Sequence, residues 1–152
     1  MKWSEMENKA IWIVDDDRDD HEIIKDIFSE NGIEYPLEFF HGAKPLLEKL
    51  QGVKVAPFII LCDVNLPGID GFELRDKMLK TPDKRFHSVP FIFWSGYASE
   101  QQIEKAFKLQ GHGFFIKEST IEEWTQTLLG IIRYWEKSKA PAKHAAYDEP
   151  LK

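Results

Sequence analysis

At 152 residues, with 43% hydrophobic and 30% charged side chains, the chain can bury one core but is too short for two ordinary domains. Its net charge of −6 argues against a nucleic-acid surface, which needs basic side chains to neutralise phosphates. A single cysteine excludes an internal disulfide, and no apolar run approaches the roughly 20 residues that span a bilayer. Because residues 1–7 also lack the apolar core of a signal peptide, we predict one cytoplasmic domain.

Apolar periodicity and chain breakers divide the sequence into five strands that alternate with five helices. Short apolar runs flanked by breakers are typical of buried strands, whereas apolar residues spaced by three and four are typical of helices. The predicted strands are 10–14, 36–41, 58–63, 90–94 and 113–116, and the predicted helices are 19–30, 43–50, 70–79, 99–109 and 119–135. Alternation with such short connections predicts an α/β fold with a doubly wound parallel sheet and helices on both faces.

The boundaries of the domain and of its helices follow from local composition. Residues 1–8 are predicted to be an N-terminal extension, 9–135 the folded domain and 136–152 a disordered tail, which is polar and broken by proline. Asp70 is the predicted N-cap of the third helix, and Ser119 or Thr120 that of the fifth. The fourth helix is predicted to bury its apolar side chains, Ile103, Ala106, Phe107 and Leu109.

Two of the predicted strands end in acidic residues. The first is followed by Asp15 and Asp16, and the third has Asp63 at its last position. If these strands are neighbours, each close carboxylate pair at ~4 Å repels by roughly 4 kcal/mol at an effective dielectric near 20. A protein that builds such a cluster normally holds a cation in it. Oxygen-only ligands favour Mg²⁺ over zinc, so the pattern predicts a magnesium site.

Four separated positions at strand ends carry a family resemblance. They are Asp15-Asp16, Asp63 with Pro67-Gly68 and Gly71, Ser95-Gly96, and Lys117. In this combination the sequence resembles a response-regulator receiver domain, the phospho-accepting half of a two-component signalling pair, over about residues 9–133. The resemblance implies the flavodoxin-like strand order 2-1-3-4-5, in which strands one and three are neighbours where the winding reverses.

The resemblance also implies a metal and a phosphoryl acceptor. Asp63 would be the nucleophile that accepts the phosphoryl group. Asp16 and Asp63 would bind Mg²⁺ directly, Asp15 largely through a water molecule, and Asn65 through its backbone carbonyl. Lys117 would pair with Asp63 before transfer and with the phosphoryl oxygens afterwards.

The switch and the lifetime of the phosphorylated state involve further residues in this family. Ser95 would move inward to hydrogen-bond a phosphoryl oxygen, coupled to the strand-five aromatic, which is Phe114 here in place of the commoner tyrosine. Asn65 and Tyr97 occupy positions at which the family varies the rate of acyl-phosphate hydrolysis. A stand-alone receiver of this kind signals through partners and is not an enzyme beyond self-phosphorylation and slow self-dephosphorylation.

The implied partners are all proteins. A histidine kinase or a histidine phosphotransfer protein would donate the phosphoryl group, and an unidentified target would read the surface of helix four, strand five and helix five. No nucleic acid or membrane is expected as a partner. The family includes homodimers through that same surface, and the sequence leaves the oligomeric state open.

Some residues depart from the family pattern or have no expected role. Glu118 stands where the family usually has a proline with a cis bond, so the sequence leaves the Lys117–Glu118 bond open between cis and trans.

The other acids after the first strand are interpreted as solvated charges at a helix start; they are Asp17, Asp19 and Asp20. No role is assigned to the five histidines, His21, His41, His87, His112 and His144.

Two alternative functions remain open at this stage. A phosphorylation-independent adaptor would keep the fold without the chemistry, and Glu118 is its one support. A haloacid-dehalogenase-type phosphohydrolase also uses a strand-end aspartate, but on the first strand in an Asp-x-Asp-x-Thr pattern. Residues 15–19 supply both acids of that pattern without the threonine.

Overall fold

A computed structural model describes residues 9–139, in which strands and helices alternate along the chain. The strands are β1 (Ile11–Val14), β2 (Leu37–Phe40), β3 (Ile59–Cys62), β4 (Phe91–Ser95) and β5 (Phe114–Ile116). The helices are α1 (Arg18–Glu30), α2 (Ala43–Leu50), α3 (Gly71–Leu79), α4 (Glu100–Lys108) and α5 (Ile121–Lys137), with a 3-10 helix (Lys84–His87) between α3 and β4. The strands form one parallel sheet in the order β2-β1-β3-β4-β5.

The core lies on both faces of this sheet because successive side chains of a strand point to opposite sides. In β1, Ile11 and Ile13 pack with α1 and α5, whereas Trp12 and Val14 pack with α2, α3 and α4. All four β1 residues are buried, as are all four residues of β3. Strand β4 is buried along its whole length as well, so all three inner strands of the sheet are covered on both faces.

The predicted fold class and strand order are confirmed, and the element boundaries differ by one or two residues. Two predicted N-caps are also confirmed: Asp70 Oδ1 accepts a hydrogen bond from the Glu73 N–H (2.8 Å), and Thr120 Oγ1 accepts one from the Glu123 N–H (3.2 Å). Helix α5 continues to Lys137, two residues into the stretch predicted to be tail. The predictions for 1–8 and 140–152 lie outside the described residues, and the domain limits stay predictions.

None of the helices within residues 9–139 combines the length and the apolar character that crossing a membrane requires.

The prediction for the buried face of α4 is wrong at two positions. Ala106 is buried and Leu109 packs partly against the core, but Phe107 is 67% exposed and Ile103 is 37% exposed. The physical reason is the position of α4 near β5, an edge strand of only three residues. A short edge strand gives the helix little sheet to cover, so periodicity alone overstated its burial.

A buried arginine holds the end of α4 against α3. The Arg75 side chain donates hydrogen bonds from Nε to the Leu109 carbonyl and from Nη2 to the Gln110 carbonyl, both 3.0 Å. Its guanidinium lies 5.2 Å from the Phe91 ring centre, and burial lowers the pKa of Arg75 to about 10. Because the carbonyls at a helix C-terminus carry partial negative charge, a cation placed there stabilises the helix end.

The ring of His112 accepts a hydrogen bond at the start of β4. Its Nδ1 accepts a hydrogen bond from the Phe91 backbone N–H (3.0 Å), which requires an unprotonated nitrogen. Burial, and then the charge of Arg75, lower the pKa of His112 from 6.5 to about 4.

This low pKa makes stability depend on pH in a defined window. Between pH 6.5 and about 4 the unfolded chain binds a proton at His112 that the native chain does not, so the free energy of unfolding falls as pH is lowered. We expect the urea midpoint of His112→Gln to fall less than that of the native chain between about pH 7 and pH 4.5. His41→Gln serves as the control for loss of one histidine. If the urea midpoints of the native chain and His112→Gln changed equally with pH, the lowered pKa of His112 would be contradicted.

Candidate functional site

The predicted acidic residues meet where β1 and β3 end side by side. Val14 pairs with Cys62 in the parallel register, and the next residue of each strand is Asp15 or Asp63. The Asp63 N–H donates to the Val14 carbonyl (2.9 Å), so the ladder continues one residue beyond β3. This backbone pairing brings the two carboxylates to the same edge of the sheet, as the sequence predicted.

Three carboxylates form a cluster that could hold a metal ion. One oxygen each from Asp15, Asp16 and Asp63 lies within 4.8 Å of the others. Asp15 is 2% exposed and Asp63 is 9% exposed, whereas Asp16 is exposed to solvent. Burial raises the pKa of Asp15 to about 6, an effect that the hydrogen bond from Lys117 opposes. An all-oxygen set that is open on one side suits Mg²⁺, which keeps several water ligands.

Backbone hydrogen bonds orient the two buried carboxylates. Asp15 Oδ1 accepts from the Asp17 N–H (2.9 Å), and Asp63 Oδ1 accepts from the Asn65 N–H (3.0 Å). In each residue the other oxygen, Oδ2, is directed to the same ammonium group. Turns of this type fix the rotamer of an aspartate, so the local sequence after each strand sets the geometry of the cluster.

Lys117, which follows β5, supplies the positive charge of the site. Its Nζ lies 2.7 Å from Asp15 Oδ2, 2.8 Å from Asp20 Oδ2 and 2.9 Å from Asp63 Oδ2. Burial alone would lower the pKa of Lys117, but these hydrogen bonds outweigh it and raise the pKa above its ordinary value. An ammonium group has three N–H donors, and each of them has a carboxylate here.

Asp20 is the site residue that the sequence interpretation missed. Its sequence context predicts a solvated charge like Asp17 and Asp19, but its side chain is only 15% exposed and pairs with Lys117. Asp17 and Asp19 are exposed, and Asp17 caps α1 by accepting a hydrogen bond from the Asp19 N–H (2.8 Å). No sequence signal distinguishes these acids, because the partner of Asp20 lies 97 residues away.

The other predicted residues occupy the ends of β4 and β5. Ser95 is completely buried, and its Oγ accepts from the Tyr97 N–H at 3.5 Å. The side chain of Tyr97 is 68% exposed. Phe114 is half-buried, with its ring centre 6.0 Å from that of Phe93 on the same face of the sheet. The switch and lifetime roles of these residues remain predictions.

The loop after Lys117 has the trans form. Every peptide bond in residues 9–139 is trans, which includes the Lys117–Glu118 bond left open by the sequence. The carbonyl of Glu118 accepts a hydrogen bond from Nε1 of Trp124 (2.6 Å), a residue in the first turn of α5. The Lys117 N–H also donates to the Ser95 carbonyl (2.7 Å). With Glu118 in place of proline, the loop is anchored on both sides and Lys117 still reaches the carboxylates.

His21 contributes to the site through the backbone. Its Nε2 donates a hydrogen bond to the Asp15 carbonyl (2.7 Å), and its ring stacks on Phe39 with centres 4.7 Å apart. This contact ties α1 to the end of β1, from which the two acids project. The sequence assigned His21 no role because nothing in its spacing relates it to the other histidines.

Comparison with known proteins gives one family and several structural neighbours. A family model described as the response regulator receiver domain matches residues 11–129. The probable methanogenesis regulatory protein FilR2 of Methanothrix harundinacea is 24% identical over 139 residues, covering 87% of this chain and 88% of that protein. The crystal structure of the phosphorylated cyanobacterial phytochrome response regulator RcpA is similar with a TM-score of 0.78 at 21% identity, covering 88% of this chain and 99% of that one. The Mn²⁺-bound form of response regulator Rcp1 gives 0.75 at 23% identity, with coverage of 88% and 99%.

Proposed function

The chain belongs to the response regulator receiver domain family, and on that premise we propose that it accepts a phosphoryl group on Asp63 in a magnesium-dependent reaction. The observation that carries the proposal is the convergence of Asp63 with Asp15, Asp16 and Lys117 at one edge of the sheet. These groups come from the ends of three different strands, and no simple packing requirement explains three carboxylates and a lysine at one edge of the sheet.

Asp63 acts as the nucleophile in this proposal. One of its oxygens forms the new bond to phosphorus while the bond from phosphorus to the imidazole nitrogen of a donor phosphohistidine breaks. Oδ1 of Asp63 accepts a hydrogen bond from the Asn65 N–H, and the other oxygen, Oδ2, accepts one from Lys117 Nζ. Lys117 holds the acceptor carboxylate before transfer and then donates to phosphoryl oxygens. Ser95, buried at the end of β4, donates a hydrogen bond from its hydroxyl to a phosphoryl oxygen.

The acidic cluster fits Mg²⁺ as the cofactor. Asp16 and Asp63 would hold it directly, Asp15 through water, and the Asn65 carbonyl would complete the protein ligands. When bound, Mg²⁺ offsets the negative charge of the acceptor and the donor together, which favours in-line transfer. The Mn²⁺-bound Rcp1 structure supports the choice of a divalent cation, and the phosphorylated RcpA structure supports phosphoryl transfer.

The output of the proposed reaction is a changed surface that another protein reads. A phosphoryl group adds about 1.5 to 2 negative charges and three acceptors at Asp63, and Ser95 responds to it. Phe114 follows this movement from the neighbouring strand, and Asn65 and Tyr97 influence how long the phosphoryl group survives. A histidine kinase or a histidine phosphotransfer protein is the donor, and the target reads α4, β5 and α5.

The adaptor alternative has Glu118 as its support in the sequence. Although the Lys117–Glu118 bond is trans, Lys117 still contacts Asp63. This contact favours a phosphoryl acceptor over an adaptor without the chemistry. The match to the receiver family gives no support to the haloacid-dehalogenase alternative.

The proposed function is tested by intact-mass spectrometry of the native chain after incubation with phosphoryl donors. We expect one phosphoryl group to be gained with Mg²⁺ and not with chelator, because the cluster needs a cation to admit the anionic donor. Acetyl phosphate and a phosphorylated histidine phosphotransfer protein are used in parallel, since a receiver can require its protein donor. No gain from either donor in the presence of Mg²⁺ would reject the proposal and favour the adaptor.

A further inference from the structure

Lys117 is shared among three carboxylates, and one of them lies outside the acidic cluster. Asp20 is the third residue of α1, and its Oδ2 accepts a hydrogen bond from Lys117 Nζ at 2.8 Å. The side chain of Asp20 is 15% exposed and that of Lys117 is 12% exposed, so both groups are largely shielded from water. Charge-assisted hydrogen bonds in such surroundings are stronger than exposed ion pairs.

Asp20 differs from Asp15 and Asp63 in what else it contacts. Asp15 and Asp63 belong to the set that could hold a metal, and each also accepts a backbone hydrogen bond. Asp20 does not belong to that set, and within residues 9–139 its carboxylate forms a hydrogen bond to Lys117 alone. Phosphoryl transfer and metal binding both engage Asp63, and metal binding engages Asp15. Asp20 is therefore the one carboxylate partner of Lys117 that neither the proposed metal nor the proposed transfer engages.

The position of the ammonium decides how available the acidic cluster is to a cation. A lysine held only by Asp15 and Asp63 would place its whole charge against the two carboxylates that a metal also needs. The bond to Asp20 draws part of that charge toward α1. Asp20 also adds a negative charge near the site. The displaced ammonium charge and the added carboxylate charge both favour cation binding.

We propose that Asp20 is a positioning residue that holds Lys117 on the α1 side of the site and so keeps Asp15 and Asp63 accessible to a divalent cation. This inference rests on the proposed function, because the cation concerned is the one required for phosphoryl transfer.

Titration with MgCl₂ by calorimetry tests the effect on cation binding. We expect Asp20→Asn to weaken Mg²⁺ binding by about tenfold, because an amide keeps the shape of the side chain and loses its charge. Asp19→Asn is the matched control, since it removes one charge from the same helical turn at an exposed side chain. It should change the affinity by no more than about twofold. Asp20→Glu should restore most of the loss, because it returns a carboxylate within reach of Lys117.

Nitrogen-15 NMR of the lysine ammonium groups in the metal-free protein provides a second readout. We expect the Lys117 ammonium protons to exchange slowly with water in the native chain and in Asp19→Asn, and several-fold faster in Asp20→Asn. This measurement depends on neither metal nor phosphoryl group.

The two measurements separate failure of the inference from failure of the proposed function. Equal Mg²⁺ affinity in Asp20→Asn and Asp19→Asn, or unchanged Lys117 exchange in Asp20→Asn, would overturn the positioning role while leaving phosphoryl acceptance intact. Absence of Mg²⁺ binding in the native chain would overturn the proposed cofactor and the inference together. Weaker binding and faster exchange confined to Asp20→Asn would support the positioning role.

Discussion

Replacing Asp63 by asparagine is expected to abolish phosphoryl uptake, with a loss of roughly a thousandfold or more in rate. Asparagine can keep the hydrogen bond from the Asn65 N–H through its amide oxygen. It lacks the anionic oxygen that attacks phosphorus in the proposed reaction, and it also removes one carboxylate from the set that could hold a metal ion. The variant therefore tests the acceptor with little change in shape. Intact-mass spectrometry over a time course with acetyl phosphate or the protein donor measures the rate.

Asp70→Asn is the matched control for this variant. Asp70 lies on the same loop as Asp63 and caps α3 through Glu73, a role that asparagine fills equally well. We expect Asp70→Asn to be phosphorylated at close to the native rate. If Asp63→Asn were phosphorylated as fast as Asp70→Asn, the nucleophile would have to be a different residue. Circular dichroism of both variants verifies that each is folded.

Replacing Gly71 by alanine is expected to lower the free energy of unfolding by about 2 to 4 kcal/mol. A Cβ atom at Gly71 would lie 2.3 Å from the Asp63 carbonyl oxygen and 3.0 Å from the Val64 Cα. The Gly71 N–H also donates to the Val64 carbonyl (2.8 Å), which holds the two segments together. Because both clashing atoms belong to the backbone, relief requires the loop between β3 and α3 to move.

The same displacement should reach the functional site. The clashing carbonyl belongs to Asp63 itself, so a shifted backbone turns its carboxylate away from Lys117. We therefore expect Gly71→Ala to lose phosphoryl uptake as well as stability, under conditions where the variant remains folded. Urea unfolding gives the stability, and the mass-spectrometric assay gives the uptake.

Gly130→Ala is the control for a glycine in a helix. Gly130 lies inside α5, and a Cβ there meets nothing within 4 Å. Alanine at that position should raise the free energy of unfolding by roughly 0.5 to 1 kcal/mol, because glycine is a poor helix former. If Gly71→Ala were as stable as the native chain, the loop would accommodate the extra atom, and the close approach of Gly71 to the Asp63 carbonyl would not limit the residue at this position.

The stability of the site in the absence of a cation depends on Lys117. Asp15, Asp20 and Asp63 all direct an oxygen to its ammonium, and Asp16 adds a fourth carboxylate nearby. One positive charge cannot neutralise four negative ones, so the site retains an excess of negative charge. An excess of negative charge of this kind favours the binding of a divalent cation.

The sequence by itself determined the elements and the principal acids. Apolar runs bounded by breakers located β1 and β3, and Asp15 and Asp63 follow those runs directly. Helix caps such as Asp70 and Thr120 were also predictable, because a cap depends on residues two or three positions away. The strand order came from the family resemblance, because alternation of strands and helices alone does not specify it. That order then places the site at the carboxyl ends of the strands, where the winding of the sheet reverses.

The tertiary structure alone decided which distant groups pair and which apolar faces are covered. Asp20 looks like its acidic neighbours in sequence, and only the sheet order brings Lys117 to it across 97 residues. Arg75 is buried because carbonyls at the end of α4 lie over it, a contact that spans 34 residues. Phe107 is exposed although the helical period predicts its burial, while Ala106 of the same helix packs in the core. Local pattern depends on residues a few positions apart, whereas these contacts depend on how separate elements pack in space.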